Sequence, residues 1–392
     1  MLERITQAWR VNRPWIWRDV LIPFAATRCA LLLVGWFSRY FPVYLKYPIR
    51  EAVRRGWHVS PHRWLDIWAR WDAGWYMSIV RSGYAASGDL HTTQSNVAFY
   101  PLYPYVVKLL ALLIPAPLRT LDATLLIGIL VSNAFLLVAL VLLHKLVTAS
   151  FNDESLARRT VLYLLLFPTG FFFSCFFTES TFLCMSVAAF HAASRKSWAV
   201  AAFFAGLLTL TRPQGVLIAA PLAWMYLASL GGDPRRIRWD AAWFLLIPLG
   251  LLAFLFECYR CTGDFLATFH VHAAWRCRYT MPWDTFLHPD HYNHFITPID
   301  RVSTAGFLLL AVASLFLLPS AAYGIYALLI VSPLTFLGTL KSGARYCVVA
   351  FPVFIVLAML GRRPSLHAFI AILFLVLQVL LMVAWCQLYW VG

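Results

Sequence analysis

The residues best suited to chemistry lie in RWDAGWYMSIVRSGY, 70–84, where Asp72 stands among Trp71, Trp75 and Tyr76 with Arg70 and Arg81 close by. A carboxylate among aromatic rings suits work on a sugar. Aromatic faces stack on the apolar face of a pyranose, and a partly desolvated Asp takes the proton of a hydroxyl and makes that oxygen a nucleophile. The same residues also fit an aromatic belt at a membrane interface holding an Asp–Arg pair, and from these residues alone both readings stand.

Two other constellations invite a metal or redox reading. HPDHYNH, 288–294, spaces His288, His291 and His294 so that on a helix the imidazoles share part of one face, with Asp290 between them. A metal-dependent site would also want paired carboxylates, and Asp66 and Asp72 are the only close acidic pair near the first motif, so a metal-independent reaction is expected. Of the eight cysteines, Cys29, Cys175, Cys184, Cys347 and Cys386 fall inside apolar runs as small hydrophobes. The single CxxC, Cys258 to Cys261, lacks a second pair at metal-ligand spacing.

These residues must be positioned by a membrane-embedded frame. The chain has 392 residues, 61% hydrophobic and 12% charged, where a soluble domain carries about a quarter charged residues. A water-soluble enzyme, a DNA-binding module and a disordered chain are excluded. The formal charge of +15 comes from bases at the ends of apolar segments, a sign of topology rather than of nucleic acid.

Apolar runs at 20–37, 121–144, 158–177, 179–194, 197–212, 214–230, 241–258, 303–318, 321–339, 346–361 and 366–390 predict about eleven spans in a single domain, 1–392. The N-terminal bases Arg4, Arg10, Arg13 and Arg18 precede the first run without a cleavage pattern, so that run is expected to stay as an anchor. Arg28 interrupts it, as a functional charge or as one that snorkels. The Pro-rich stretch 99–117 reads as an interfacial or re-entrant helix, and charge supports this. If it does not span, Lys145, Arg158, Arg159, Arg195, Lys196, Arg235, Arg236, Arg238, Arg362 and Arg363 all share the cytoplasmic side with the N-terminus. Two long segments, 38–120 and 259–302, then lie outside and hold most of the polar chemistry.

RWDAGWYMSIVRSGY followed by NVAFYPLYP (96–104) resembles the signature of the PIG-V family, the second mannosyltransferase of GPI-anchor synthesis and its prokaryotic relatives. FPTGFFFSCFFTES (167–180), AGLLTLTRPQG (205–215), GDFLATFHVHAAW (263–275) and SGARYCVVAFPVF (342–354) continue the match. The resemblance implies an all-α GT-C-like bundle whose large first extracytoplasmic loop carries a catalytic Asp, here Asp72. It also implies a polyprenyl- or dolichyl-phosphate sugar as donor, mannose as the sugar, and inversion. No cofactor is expected, and the partners would be the lipid-linked donor, a glycan or glycolipid acceptor and the bilayer, with no nucleic acid.

Transfer from a lipid phosphate needs a base on the acceptor hydroxyl, positive charge on the departing phosphate and an apolar groove for the lipid. Arg212 in LTRPQG and Arg345 in SGARY sit at outer span ends, where a guanidinium grips phosphate bidentately, and Lys341 adds a point charge. Snorkelling structural arginines would look the same. Substrate contacts are expected from Trp71, Trp75, Tyr76, Tyr100, Tyr103, His270 and His272. Glu179 fits either a helix start capped by Thr178 or a substrate contact, and Asp264 either a turn or a substrate contact.

The expectation is thus a hexosyltransferase with an extracytoplasmic site in a bacterial inner membrane, or in the endoplasmic reticulum. A transporter or flippase of a lipid-linked sugar is the alternative, and a scaffold would not need Asp72. A transporter would want a polar path through the bilayer, and charges deep in the spans are few.

Overall fold

The computed structural model describes residues 14–41, 58–86, 88–275, 277–287 and 296–391. Arg4, Arg10, Arg13 and the HPDHYNH run lie outside the described residues. Within them the regular structure is helical. Helix α1 (Ile22–Phe37) continues from a wider π turn at Ile16–Leu21. The first loop then carries α2 (Ala73–Ser82) and α3 (Leu102–Leu112). Next come α4 (Leu121–Phe151), α5 (Glu154–Leu166), α6 (Glu179–Ser194), α7 (Trp198–Thr209), α8 (Ala219–Ser229) and α9 (Leu246–Thr262). The chain ends with α10 (Ile296–Leu317), α11 (Ala321–Val331), α12 (Gly343–Cys347), α13 (Phe351–Leu360) and α14 (Pro364–Cys386).

Helix boundaries follow local chemistry. The Thr120 hydroxyl accepts the Ala123 N–H at 3.1 Å to start α4, and Asp153 accepts the Leu156 N–H at 2.8 Å to start α5. Between the two, Asn152 turns the chain at φ 51°, a left-handed conformation that Asn tolerates.

Five segments, Ile16–Tyr40, Leu121–Phe151, Trp239–Thr262, Thr297–Leu317 and Pro364–Cys386, are long and apolar enough to cross a membrane. The central helix α6 is apolar on nearly all sides and almost wholly buried, as a helix inside a bundle must be. It packs between α4 and α7. Close approach of α7 to α9 depends on glycines, since a Cβ on Gly250 would lie 2.5 Å from the Gly206 carbonyl oxygen and one on Gly206 2.8 Å from that of Leu246.

The predicted span 158–177 differs from the structure. Helix α5 stops at Leu166, because Pro168 pushes Phe167 out of the helical region, to φ −52°, ψ 140°. The chain then runs as a 3-10 turn, Gly170–Ser174, and an irregular stretch to Thr178. Irregular backbone of this kind survives beside lipid only when buried in protein, and Phe171, Phe172, Phe173, Phe176 and Phe177 are all buried here. The predicted span 346–361 likewise breaks, into α12 and α13. In the 99–117 stretch the helix covers Leu102–Leu112, about 16 Å at 1.5 Å per residue, too short to cross about 30 Å of hydrocarbon.

Two ion pairs tie the turns at one end of the bundle together. Arg18 faces Glu154 at 3.7 Å and Arg362 faces Asp153 at 3.8 Å. These contacts join the start of α1, the α4–α5 turn and the α13–α14 turn. The far end of α14 docks on the first loop, where Trp385 Nε1 donates to the Ile67 carbonyl at 2.7 Å.

Candidate active site

Asp72 sits at the start of α2, but its side chain makes no capping bond there. The chain leading to it is fixed by Asp66. One Asp66 oxygen accepts the Val59 and Ser60 N–H groups at 2.8 and 3.1 Å. The other lies 2.7 Å from His58 Nδ1 and 2.8 Å from Arg70 Nη1. Burial pushes the Asp66 carboxyl up, but the His58 bond, the Arg70 charge and the Val59 amide together hold it below the usual carboxylate value. Asp66 is therefore a hub that shapes the loop. Trp71, next to Asp72, adopts φ 54°.

Arg345 reaches Asp72 from the opposite side of the chain, with Nη1 2.9 Å from Asp72 Oδ2. Its helix α12 is fastened from two directions: Thr169 Oγ1 donates to the Ala344 carbonyl at 2.9 Å, and the Ala344 N–H donates to Asp300 Oδ1 at 2.9 Å. Gly343 allows that approach, because a Cβ there would lie 2.5 Å from Thr304 Oγ1. The Arg345 guanidinium also lies over Phe177, 4.0 Å from the ring centre.

A second carboxylate organises the cations. Glu179 Oε1 accepts from Arg345 Nε at 2.5 Å and from Arg212 Nη2 at 2.6 Å. Arg212 Nε donates to Thr178 Oγ1 at 2.9 Å, and Thr178 shares a hydrogen bond with the Tyr76 hydroxyl at 3.3 Å. Thr178 occupies the position before α6 but makes no side-chain cap, so the expected cap is replaced by a link from Tyr76 to Arg212. Glu179 is 0% exposed, which removes it from direct reach of a cavity ligand. Asp72 keeps 16% side-chain exposure.

Asp72, Tyr76, Arg212, Lys341, Arg345 and Tyr346 share the wall of one cavity of about 810 Å³. His91, Tyr100, His270, His272 and Trp275 line it as well, and Leu217, Pro333, Leu334 and Phe336 give it an apolar side. Of the residues expected to contact substrate, Tyr76, Tyr100, His270 and His272 are therefore on the cavity. Trp71, Trp75, Tyr103, Glu179 and Asp264 are not among its lining residues. Trp75 stacks on Phe99 and meets Trp275 edge-on, while buried Tyr103 donates to the Gly128 carbonyl at 3.0 Å. Asp264 makes both a turn and a link, accepting the Leu266 N–H at 2.9 Å and lying 2.6 Å from His270 Nδ1.

His272 Nδ1 lies 2.7 Å from the Thr268 carbonyl, which must accept. Burial holds its imidazole below the usual histidine value, despite the upward pull of carbonyl partners. Burial also pushes the Tyr76 and Tyr100 phenols up, so both stay neutral. Among the described residues no group of three or more His, Cys, Asp or Glu side chains is arranged to hold a metal ion.

Sequence reasoning missed Tyr346, whose ring centre lies 5.2 Å from the Arg212 guanidinium, and Trp390, whose ring lies 4.0 Å from Lys341 Nζ. Tyr346 was reachable, being next to Arg345 in the same motif. Trp390 is the last residue of the predicted span 366–390, where a tryptophan reads as an ordinary interfacial anchor.

Residues 58–229 match the family model described as Mannosyltransferase (PIG-V). GPI mannosyltransferase 2 of Schizosaccharomyces pombe is 28% identical over 151 residues, 38% of this chain and 30% of that protein. The chain thus spans under a third of that curated relative's length. Its fold is similar to the GT-C fold of ArnT from Cupriavidus metallidurans, solved bound to undecaprenyl phosphate, at TM-score 0.53 and 14% identity. That likeness covers 88% of this chain and 61% of ArnT.

Proposed function

We propose that this chain transfers a hexose, mannose on the strength of the family match, from a polyprenyl-phosphate sugar to a hydroxyl of a glycan or glycolipid. Asp72 is the general base. The observation that carries this reading is the meeting of Asp72 with Arg345, Arg212 and Lys341 on one partly apolar cavity. Arg345 engages Asp72 Oδ2, which leaves Oδ1 to take the acceptor proton. As that proton moves, the acceptor oxygen bonds to the anomeric carbon, the carbon–phosphate oxygen bond breaks, and the electron pair leaves with polyprenyl phosphate. Arginines and lysine stabilise the phosphate as its charge grows, which lowers the barrier because the gain appears in the transition state. Attack opposite the leaving phosphate inverts the anomeric centre.

Arg18 and Arg362, which meet the α4–α5 turn at the end of the bundle away from the cavity, support a cytoplasmic N-terminus and an extracytoplasmic site. Within that topology a bacterial inner membrane is the proposed location. The test is incubation of purified protein in nanodiscs with polyprenyl-phosphate [14C]mannose and a crude lipid extract. Release of polyprenyl phosphate with label appearing in a new lipid or glycan is the expected result. Donor binding without any release, joined to movement of the donor between leaflets of liposomes, would overturn this reading in favour of a flippase.

A further inference from the structure

The C-terminal end of α14 reaches the cavity through one side chain. Trp390 lines the cavity wall. Its ring meets Trp71, the neighbour of Asp72, edge-on at 5.0 Å between centres, and it carries Lys341 Nζ 4.0 Å from its own centre. One indole thus touches the two chain segments that supply the base and a cation, although these segments are distant in sequence.

Backbone conformation marks the same place. Among the described residues, the non-glycine residues at positive φ are Trp71, Asn152, Lys196, Ser342 and Leu388. Trp71 precedes Asp72, Ser342 follows Lys341, and Leu388 turns the chain two residues before Trp390. Left-handed backbone is costly for residues with a Cβ and persists only where the surroundings impose it. The turn at Leu388 is held by the bond from Trp385 to Ile67, by the Arg70 Nη2 contact with the Cys386 carbonyl at 3.4 Å, and by the Tyr389 N–H on the Ala384 carbonyl at 3.0 Å.

We infer that Trp390 is a positioning residue that holds Lys341 in the cavity and keeps the Asp72 segment in register with it. The inference rests on the reading of Lys341 as a donor-phosphate ligand. Lying on the indole face, the ammonium on its flexible four-carbon stem gains a cation–π attraction that favours this one place on the wall, and indole gives the strongest such attraction among the aromatic side chains.

The test uses the full chain in nanodiscs with Trp390→Ala and Trp390→Phe, and reads two quantities. The first is the rate at which an amine-reactive reagent labels Lys341, followed by peptide mass spectrometry, which needs no substrate. We expect labelling about fivefold faster in Trp390→Ala, with Trp390→Phe between it and the wild type because a benzene face holds a cation more weakly. The second is donor kinetics, where KM for polyprenyl-phosphate mannose should rise about five- to tenfold in Trp390→Ala, with a smaller change in kcat, and partly recover in Trp390→Phe. In a Lys341→Met background, Trp390→Ala should add little to KM. Unchanged Lys341 labelling would overturn the positioning role. A KM shift that persists in full without Lys341 would overturn the route through Lys341. The expected labelling order across the three proteins, together with a wild type that never turns over the donor, would instead overturn the proposed function and leave the Trp390–Lys341 contact standing.

Discussion

Replacing Glu179 with Gln should disarm the cavity without touching any residue on its wall. Glu179 Oε1 is the shared acceptor for Arg345 at 2.5 Å and Arg212 at 2.6 Å, and Oε2 is buried without a hydrogen-bond partner. Arg345 faces both Asp72 and Glu179, and Arg212 faces Glu179. The amide keeps the shape but removes the negative charge that Arg345 and Arg212 share. Charge-assisted hydrogen bonds contribute about 1.5–3 kcal/mol each, and losing one partner of a buried ion pair costs about 3–5 kcal/mol. The amide oxygen still accepts one bond, so a net loss of about 3 kcal/mol is expected, roughly a hundredfold in the folded-to-unfolded ratio. Thermal unfolding followed by tryptophan fluorescence should show it, and kcat/KM for the donor should fall about ten- to a hundredfold as the arginines reorient. Glu179→Gln combined with Arg345→Gln should lose less stability than the sum of the single changes, because the two residues share one bond. Unchanged unfolding together with unchanged kinetics in Glu179→Gln would refute the reasoning.

Arg345→Lys should lower kcat/KM by at least about tenfold, since one ammonium lacks the planar fork that serves Asp72 and Glu179 together; full activity in steady-state donor assays would count against that bridge. Gly128→Ala places a Cβ 2.0 Å from the Phe176 ring, so a loss of about 2 kcal/mol from overpacking is expected in thermal unfolding. Asp66 gives a pH signature. Its folded value is held below the unfolded one, so it contributes stability above about pH 4 and loses it as pH falls through the lower folded value. The wild type should therefore lose unfolding temperature on acidification below about pH 4 more steeply than Asp66→Asn, which starts less stable.

The frame was legible because long apolar runs bounded by charge have few alternatives, and Leu121–Phe151 and Pro364–Cys386 lie where hydropathy placed them. Asp72 stands out in the sequence as a carboxylate among aromatic residues, and Arg345, Arg212 and Lys341 as bases at outer span ends; the structure brings all four to one cavity. Their pairing was not legible, since Arg345 and Asp72 lie 273 residues apart and nothing local specifies that contact. Glu179 was ambiguous for the same reason: its partners Arg212 and Arg345 arrive from distant segments. The span expected over 158–177 failed at Pro168, whose effect on Phe167 a hydropathy window averages away. The motif also suggests Trp75 and Tyr103 as substrate contacts; in the structure Trp75 stacks on Phe99 and the Tyr103 hydroxyl donates to the Gly128 carbonyl, partners that a linear motif does not specify.

The central claim is that Asp72 takes the acceptor proton. Asp72→Asn keeps the side-chain volume and leaves Arg345 anchored by Glu179, so donor binding should survive while chemistry stops. The decisive measurement is donor Kd and kcat for wild type and Asp72→Asn in the same nanodisc preparation, using polyprenyl-phosphate mannose. A Kd within about threefold of wild type, with kcat reduced by at least about a hundredfold, is the predicted result for loss of a general base. Turnover in Asp72→Asn within tenfold of wild type would contradict it.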